Sequence, residues 1–243
     1  MTFVPTAELP SPPPTGAPHV AVSAAGGVFP VGAVGFWGSR LDPDDPAVGV
    51  IAAARGTAVV RRSGRVDTAG PDAPVVRAPS IEVRAVRRLG GRWWALGDRR
   101  VVALDDGESF GVAAGSIDVV RHGEGPVGVD RSGAVRSPDG AVLDDPGGLD
   151  GELLGAIDGA EGWWIVARSG TVLARGGAAA HDGVDTSTYP HPLTAVGPTL
   201  DGRGLVIATA DGRLHARGTP YPGGLPRPAA SGAVTAVSPV EAG

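Results

Sequence analysis

The segment EGWWIVARSG, residues 161–170, decides how this chain is read. Two of the five tryptophans stand side by side in it. In an extended strand neighbouring side chains point to opposite faces, so Trp163 and Trp164 each need a dry surface on their own side. A second pair, Trp93 and Trp94 in GRWWALGD (91–98), makes the same demand 70 residues upstream. A strand that is dry on both faces belongs inside a stack of sheets.

The tryptophan segment sets a frame of strand, tight turn and second strand, and the frame recurs six times. The copies are HVAVSAAG (19–26), TAVVRRSG (57–64), WWALGDRR (93–100), PVGVDRSG (126–133), WWIVARSG (163–170) and LVIATADG (205–212). The turn position holds Gly26, Gly64, Arg100, Gly133, Gly170 and Gly212, at spacings of 38, 36, 33, 37 and 42. Glycine reaches positive φ without steric cost, which a hairpin turn requires. Two residues later an apolar side chain always follows: Val28, Val66, Val102, Val135, Val172 or Leu214. Six residues after the turn, Gly32, Gly70, Asp106, Asp139, Gly176 or Gly218 ends the second strand.

A lead strand precedes five of the hairpins: VGVIAA (48–53), VRAVRR (83–88), IDVVRH (117–122), LGAIDG (154–159) and LTAVGP (193–198). A sixth copy, VTAVSP (234–239), has no hairpin after it, and the hairpin at 19–32 has no lead strand before it. The orphan at one end matches the vacancy at the other, which implies a closed ring. An open solenoid needs caps at both ends; a ring of small sheets needs none and covers every sheet on both faces. The expectation is an all-β protein, a six-bladed β-propeller with three to four antiparallel strands per blade, closed by pairing of the C-terminal strand with the first blade. GFWGS (35–39) is expected as a short fourth strand of the first blade. Residues 18–243 then form one domain, and residues 1–17, rich in proline, a flexible tail.

Residues 25–39, AGGVFPVGAVGFWGS, resemble the DGGVFAFGDAPFYGS-type repeat of propeller proteins from high-GC bacteria. In that family a GYWLV-like strand precedes the turn; GWWIV (162–166), GRWWAL (91–96) and GLVIA (204–208) stand in that place here. Repeats two to four depart most, with Arg100 at the turn of the third. The resemblance implies a propeller and a binding role, and it brings no catalytic residue with it.

Composition narrows the chemistry. There are 40 Gly and 23 Pro, while 42% of residues are hydrophobic, in short valine-rich runs; this suits many strands and many turns. The chain has no Lys, Asn or Gln, and all 21 basic residues are Arg, as a GC-rich genome would favour. Without Asn there is no N-glycosylation acceptor, and without Asn or Gln the side chains that read adenine are missing. Zero cysteines exclude disulfides, thiolate metal sites and thiol nucleophiles. The N-terminal stretch lacks the basic and apolar regions of a signal peptide, and no apolar run approaches a membrane span, so a soluble, cytoplasmic protein is expected.

No GxSxG elbow, Walker loop, HExxH or helix-opening GxGxxG occurs. Several Asp-Gly pairs occur, and those at 106, 139, 201 and 211 read as turns. No catalytic residue and no cofactor is expected. The longest connection, AAAHDGVDTSTYPHP (178–192), is the best place for a site, because insertions fall in loops and loops carry function. It holds His181, Asp182, Asp185, Tyr189 and His191. Imidazole with carboxylate can hold a divalent metal, so His181, Asp182, Asp185 and His191 are the candidate ligands, set against an ordinary solvated loop. LDPDDP (41–46) lacks the alternating ligands of a calcium loop and reads as a proline-stiffened surface loop.

Charge is unevenly placed. Residues 61–100 carry ten Arg and four acids, a net +6, so the remainder carries −11 to reach the overall −5. Around a ring this makes a basic arc, with Arg61, Arg62, Arg84, Arg87, Arg88, Arg99 and Arg100 as candidate partner-binding residues. Guanidinium forks grip carboxylate or phosphate. The net negative charge disfavours nucleic acid. The reading that follows is a non-enzymatic interaction module, a scaffold or structural subunit that binds another protein with an acidic surface. The alternatives are a metal-dependent hydrolase or lyase at the propeller mouth and a glycan-binding propeller.

Overall fold

The computed structural model describes residues 17–32, 35–188, 191–222 and 233–241. It is all-β, with twenty strands among these residues and a single 3-10 turn at Thr186–Thr188. Repeat one contributes β1 (His19–Ser23) and β2 (Val28–Val31). Repeat two is β3 (Ala47–Ala53), β4 (Gly56–Arg61) and β5 (Val66–Ala69). Repeat three is β6 (Ala85–Leu89), β7 (Arg92–Leu96), β8 (Arg100–Ala103) and β9 (Ser109–Gly111). Repeat four is β10 (Asp118–His122), β11 (Gly125–Val129), β12 (Val135–Arg136) and β13 (Val142–Asp144). Repeat five is β14 (Leu153–Asp158), β15 (Gly162–Ala167) and β16 (Val172–Gly176). Repeat six is β17 (Leu193–Pro198), β18 (Leu205–Thr209) and β19 (Leu214–Arg217), and β20 (Val234–Glu241) ends the chain.

The strands form a β-propeller, and its closure is the expected one. β20 pairs antiparallel with β1, Val22 opposite Ala236 and Ala21 opposite Val237, and so supplies the missing lead strand of repeat one. The blade number is corrected. There are five sheets, hence five blades and not six, because repeats one and two share one sheet in the order β2-β1-β20-β3-β4-β5. The cause is local. β20 runs two residues beyond the VTAVSP pattern, and those residues pair in parallel with β3, Val240 with Ala52 and Glu241 with Ala53. A second correction concerns GFWGS, which forms no strand. Ser39 instead accepts the Val28 N–H through its hydroxyl at 2.8 Å. Fourth strands occur where no pattern announced them, as β9 and β13.

The packing explains the tryptophan pairs. Six apolar clusters fill the spaces between successive repeats. Trp163 packs with Val120, Val127 and Val129 of repeat four, while Trp164 packs with Val196, Leu205 and Ile207 of repeat six. Trp94 likewise faces Val119 of repeat four, and Trp93 faces Ala58 and Val60 of repeat two. All five turn glycines have positive φ, from 84° at Gly133 to 97° at Gly170. The Asp-Gly pairs at 106, 139, 201 and 211 are turns, each glycine with φ between 65° and 92°.

The lead strands surround the axis, and β6 also touches β14 across it. The centre is filled. Arg87 of β6 donates to Asp118 of β10 through Nε at 3.1 Å and Nη2 at 2.6 Å. The same carboxylate accepts the Ala156 N–H of β14 at 2.8 Å, so one buried ion pair ties three repeats. Gly155 is required beside it: a Cβ there would lie 2.7 Å from Val196 Cγ1 and 3.2 Å from Asp118 Oδ2. Each lead strand runs to one face of the disc, where a first turn returns the chain. The second turn, with Gly64 and its equivalents, lies on the opposite face.

Candidate interaction face

Arg61 and Arg62 are adjacent in sequence and differ in burial, Arg61 ending a strand and Arg62 opening the turn after it. Arg61, the last residue of β4, is fully buried. Its Nε donates to Asp67 at 2.8 Å, and Nη1 reaches the carbonyls of Asp45 at 2.9 Å, Asp42 at 3.2 Å and Ala25 at 3.3 Å. Its Nη2 donates to the Arg40 carbonyl. The Arg40, Asp42 and Asp45 carbonyls belong to the connection between repeats one and two, and the Ala25 carbonyl to the second turn of repeat one. Arg61 is therefore an internal clamp and has no surface to offer a partner. LDPDDP is the loop it clamps, and Arg65 adds a 2.7 Å bond to Asp42 that holds this carboxyl below its usual range.

Arg87 and Arg88 are also turned inward. Arg87 plugs the axis, and Arg88 pairs with Glu241 at 2.9 Å, where Trp93 Nε1 donates to the same oxygen at 3.2 Å. The other four candidates are exposed and lie at the second-turn face of repeats two and three. The Arg62 carbonyl accepts the Val83 N–H at 2.7 Å, which brings Arg62 beside Arg84. Arg84 pairs with Asp98 at 2.7 Å, next to Arg99 and Arg100. Arg100 donates to the Ser80 carbonyl at 3.0 Å. Among the described residues, Arg62 and Arg99 have no side-chain partner. One edge thus gathers four guanidiniums, two of them without a side-chain partner among the described residues.

The long connection of repeat five holds its candidate ligands apart. The His181 ring stacks on Trp164 with centroids 5.3 Å apart, and its Nε2 lies 3.2 Å from the Arg203 carbonyl oxygen. Asp182 is exposed, and its main-chain carbonyl accepts from Arg217 at 2.8 Å. Asp185 accepts the Ser187 hydroxyl at 2.6 Å and N–H at 3.0 Å, which holds its carboxyl low. His191 sits 3.7 Å from Asp211. No three ligand-type side chains converge among the described residues; Tyr189 lies outside them.

One charged group at the axis escaped sequence reasoning. Asp158, where β14 reaches the first-turn face, is buried and accepts the N–H groups of Gly90 at 3.0 Å and Arg121 at 3.3 Å. Burial pushes its carboxyl up. With Arg88 and Arg121 it lines a mouth cavity of about 170 Å³, below the roughly 300 Å³ at which small-molecule pockets begin. The DG that follows LGAI reads only as a strand end, so nothing in the sequence marks Asp158.

No protein-family model matches the chain, and no curated protein does. Several solved structures are similar to it in shape. BBS1N in complex with ARL6DN shares 16% identity over 87% of this chain and 76% of that one, at a TM-score of 0.46. The computationally designed Ika8 protein shares 13% over 89% and 73%, at 0.45. Apo AztD from Citrobacter koseri shares 10% over 83% and 66%, at 0.48. None of these likenesses carries a function to this chain.

Proposed function

We propose that the chain is a non-enzymatic interaction module, a rigid disc that serves as a scaffold or structural subunit by docking a protein with an acidic surface. The observation that carries this reading is the exposed edge of Arg62, Arg84, Arg99 and Arg100, in which Arg62 and Arg99 lack side-chain partners among the described residues. Most other arginines of residues 61–100 are engaged by acids of the chain itself, as Arg61, Arg65, Arg87, Arg88 and Arg92 are. The resemblance of residues 25–39 to the high-GC bacterial repeat supports the same reading, a binding role without a catalytic motif. No specific observation favours the hydrolase, lyase or glycan-binding alternatives.

Affinity capture from the source cell's extract, after nuclease treatment, tests it. Wild type should retain a stoichiometric protein that the R62E/R99E variant loses. Equal retention by the variant would show that this edge is not the contact.

A further inference from the structure

The second turn repeats one tripeptide: Arg62-Ser63-Gly64, Arg131-Ser132-Gly133 and Arg168-Ser169-Gly170. The structure sets these arginines in equivalent places. The Arg62 and Arg168 N–H groups donate to the Pro46 and Glu152 carbonyls, each at 2.9 Å, directly before the lead strand of their own repeat. The Arg62 and Arg131 carbonyls accept N–H groups at the next lead strand, from Val83 at 2.7 Å and Leu153 at 3.1 Å. Repeat three places Arg99 on its own second turn. Four consecutive repeats therefore present a guanidinium from a pinned backbone on one face.

These charges are available. The side chains of Arg131 and Arg168 are 77% and 55% exposed, and their acidic neighbour, Glu152, lies 3.9 and 4.0 Å away and is itself 67% exposed. Exposed pairs at such distances contribute little and yield to a better acceptor. The tripeptide matters because it repeats around the ring, which a single basic cluster would not do.

We propose that Arg62, Arg99, Arg131 and Arg168 form a track for an extended acidic polypeptide segment. This rests on the protein-interaction reading above and specifies its ligand. Packed sheets stand about 10 Å apart, so three intervals span on the order of 30 Å. An extended chain in the polyproline II conformation rises about 3.1 Å per residue with three residues per turn, so acidic residues at every third position share one side, about 9 Å apart, and place a carboxylate opposite each guanidinium. Planar forks grip carboxylates in bidentate fashion. The four turns, 61–65, 97–100, 130–134 and 167–171, hold no aromatic ring on which bases could stack. The net charge of −5 opposes a polymer with a phosphate at every unit.

Fluorescence anisotropy separates the outcomes. The probes are a labelled peptide of about ten residues with Glu at every third position, an isomer with the same glutamates clustered, and a single-stranded oligonucleotide of similar length. Each is titrated against wild type, R62E/R99E and R131E/R168E, with melting curves confirming that these surface variants fold. The spaced peptide should bind wild type best, and either double variant should weaken it by at least about tenfold. Wild-type affinity in R131E/R168E but not in R62E/R99E would overturn the four-repeat track and leave the two-repeat contact standing. Tighter binding of the clustered isomer or of the oligonucleotide would also overturn it. So would failure of every peptide while cellular capture still depends on Arg62 and Arg99, which would leave the interaction reading intact.

Discussion

Replacing Arg61 with alanine should cost far more stability than the same change at its neighbour Arg62. The Arg61 side chain makes five hydrogen bonds, one to a carboxylate and four to main-chain carbonyls, those of Arg40, Asp42 and Asp45 in the connection after β2 and that of Ala25 in the turn before it. Alanine leaves those carbonyls without their donor and opens a void at a fully buried position. Removing one partner of a buried ion pair costs about 3–5 kcal/mol. Asp67 keeps Arg65 at 3.2 Å and Arg40 at 3.7 Å, so the low end applies, about 3 kcal/mol. In a chain of this size that lowers the melting temperature by about 6–12 °C. Arg61→Lys should recover only part of the loss, because an ammonium is a point charge and cannot fan out to acceptors on three sides. Arg62→Ala should stay within about 0.5 kcal/mol of wild type, as an exposed side chain without partners does. Urea denaturation with an unchanged slope reads the difference directly. Equal costs at positions 61 and 62 would refute the assignment of Arg61 as an internal clamp.

Three further outcomes follow from the packing. Trp163→Ala and Trp164→Ala should each cost about 3–5 kcal/mol, since each ring fills a different inter-repeat core; urea midpoints check this, and one silent substitution would mean that one face of β15 is not covered. His19 is buried, and burial lowers its folded pKa below the 6.5 of the unfolded chain. The unfolded state therefore binds more protons as pH falls through 6.5, and stability present at pH 7.5 should decline toward pH 5.5. The decline should be shallower in His19→Phe, with the remainder owed to His215, whose pKa burial also lowers; equal slopes would exclude His19. Gly155→Ala should destabilise strongly by driving a methyl into Val196 and the Arg87–Asp118 pair, and a melting temperature equal to wild type would show that the axis is not filled as described.

Much of the fold is legible in the sequence because a repeated unit states its pattern several times. Five positive-φ glycines, an invariant apolar position after each turn and the surplus lead strand at 234–239 point together to a ring. The tryptophan pairs say that both faces are dry. What the pattern misses is what breaks periodicity. The pairing of Val240 and Glu241 with β3 uses residues beyond the repeat, and it turns six repeats into five sheets. β9 and β13 are three residues each, largely exposed, so no alternation marks them. A register shift recurs at the start of three lead strands, between Ala47 and Gly49, Leu153 and Gly155, and Leu193 and Ala195, and the sequence does not announce it because a bulge adds a residue without a signature.

The candidate site was legible in its charge and not in its pairing. Sequence gives the +6 of residues 61–100, but only the fold shows which arginines neutralise acids of the same chain. Arg61 and Arg62 differ by one residue and by a whole environment. Arg87 needed the location of Asp118, 31 residues away, and Arg88 that of Glu241, 153 residues away. The histidines of the long connection are candidate ligands, set against an ordinary solvated loop, because they are close in sequence; in space His181 turns onto Trp164 and His191 toward Asp211.

The most direct test of the account is hydrogen–deuterium exchange on the chain alone and in complex with the protein it captures. Protection should appear at the second turns, residues 61–66 and 97–100, with the first turns at 89–92, 158–162 and 198–204 unchanged. Protection at those first turns, with the arginine edge still exchanging freely, would contradict the account and move the functional surface to the mouth around Asp158.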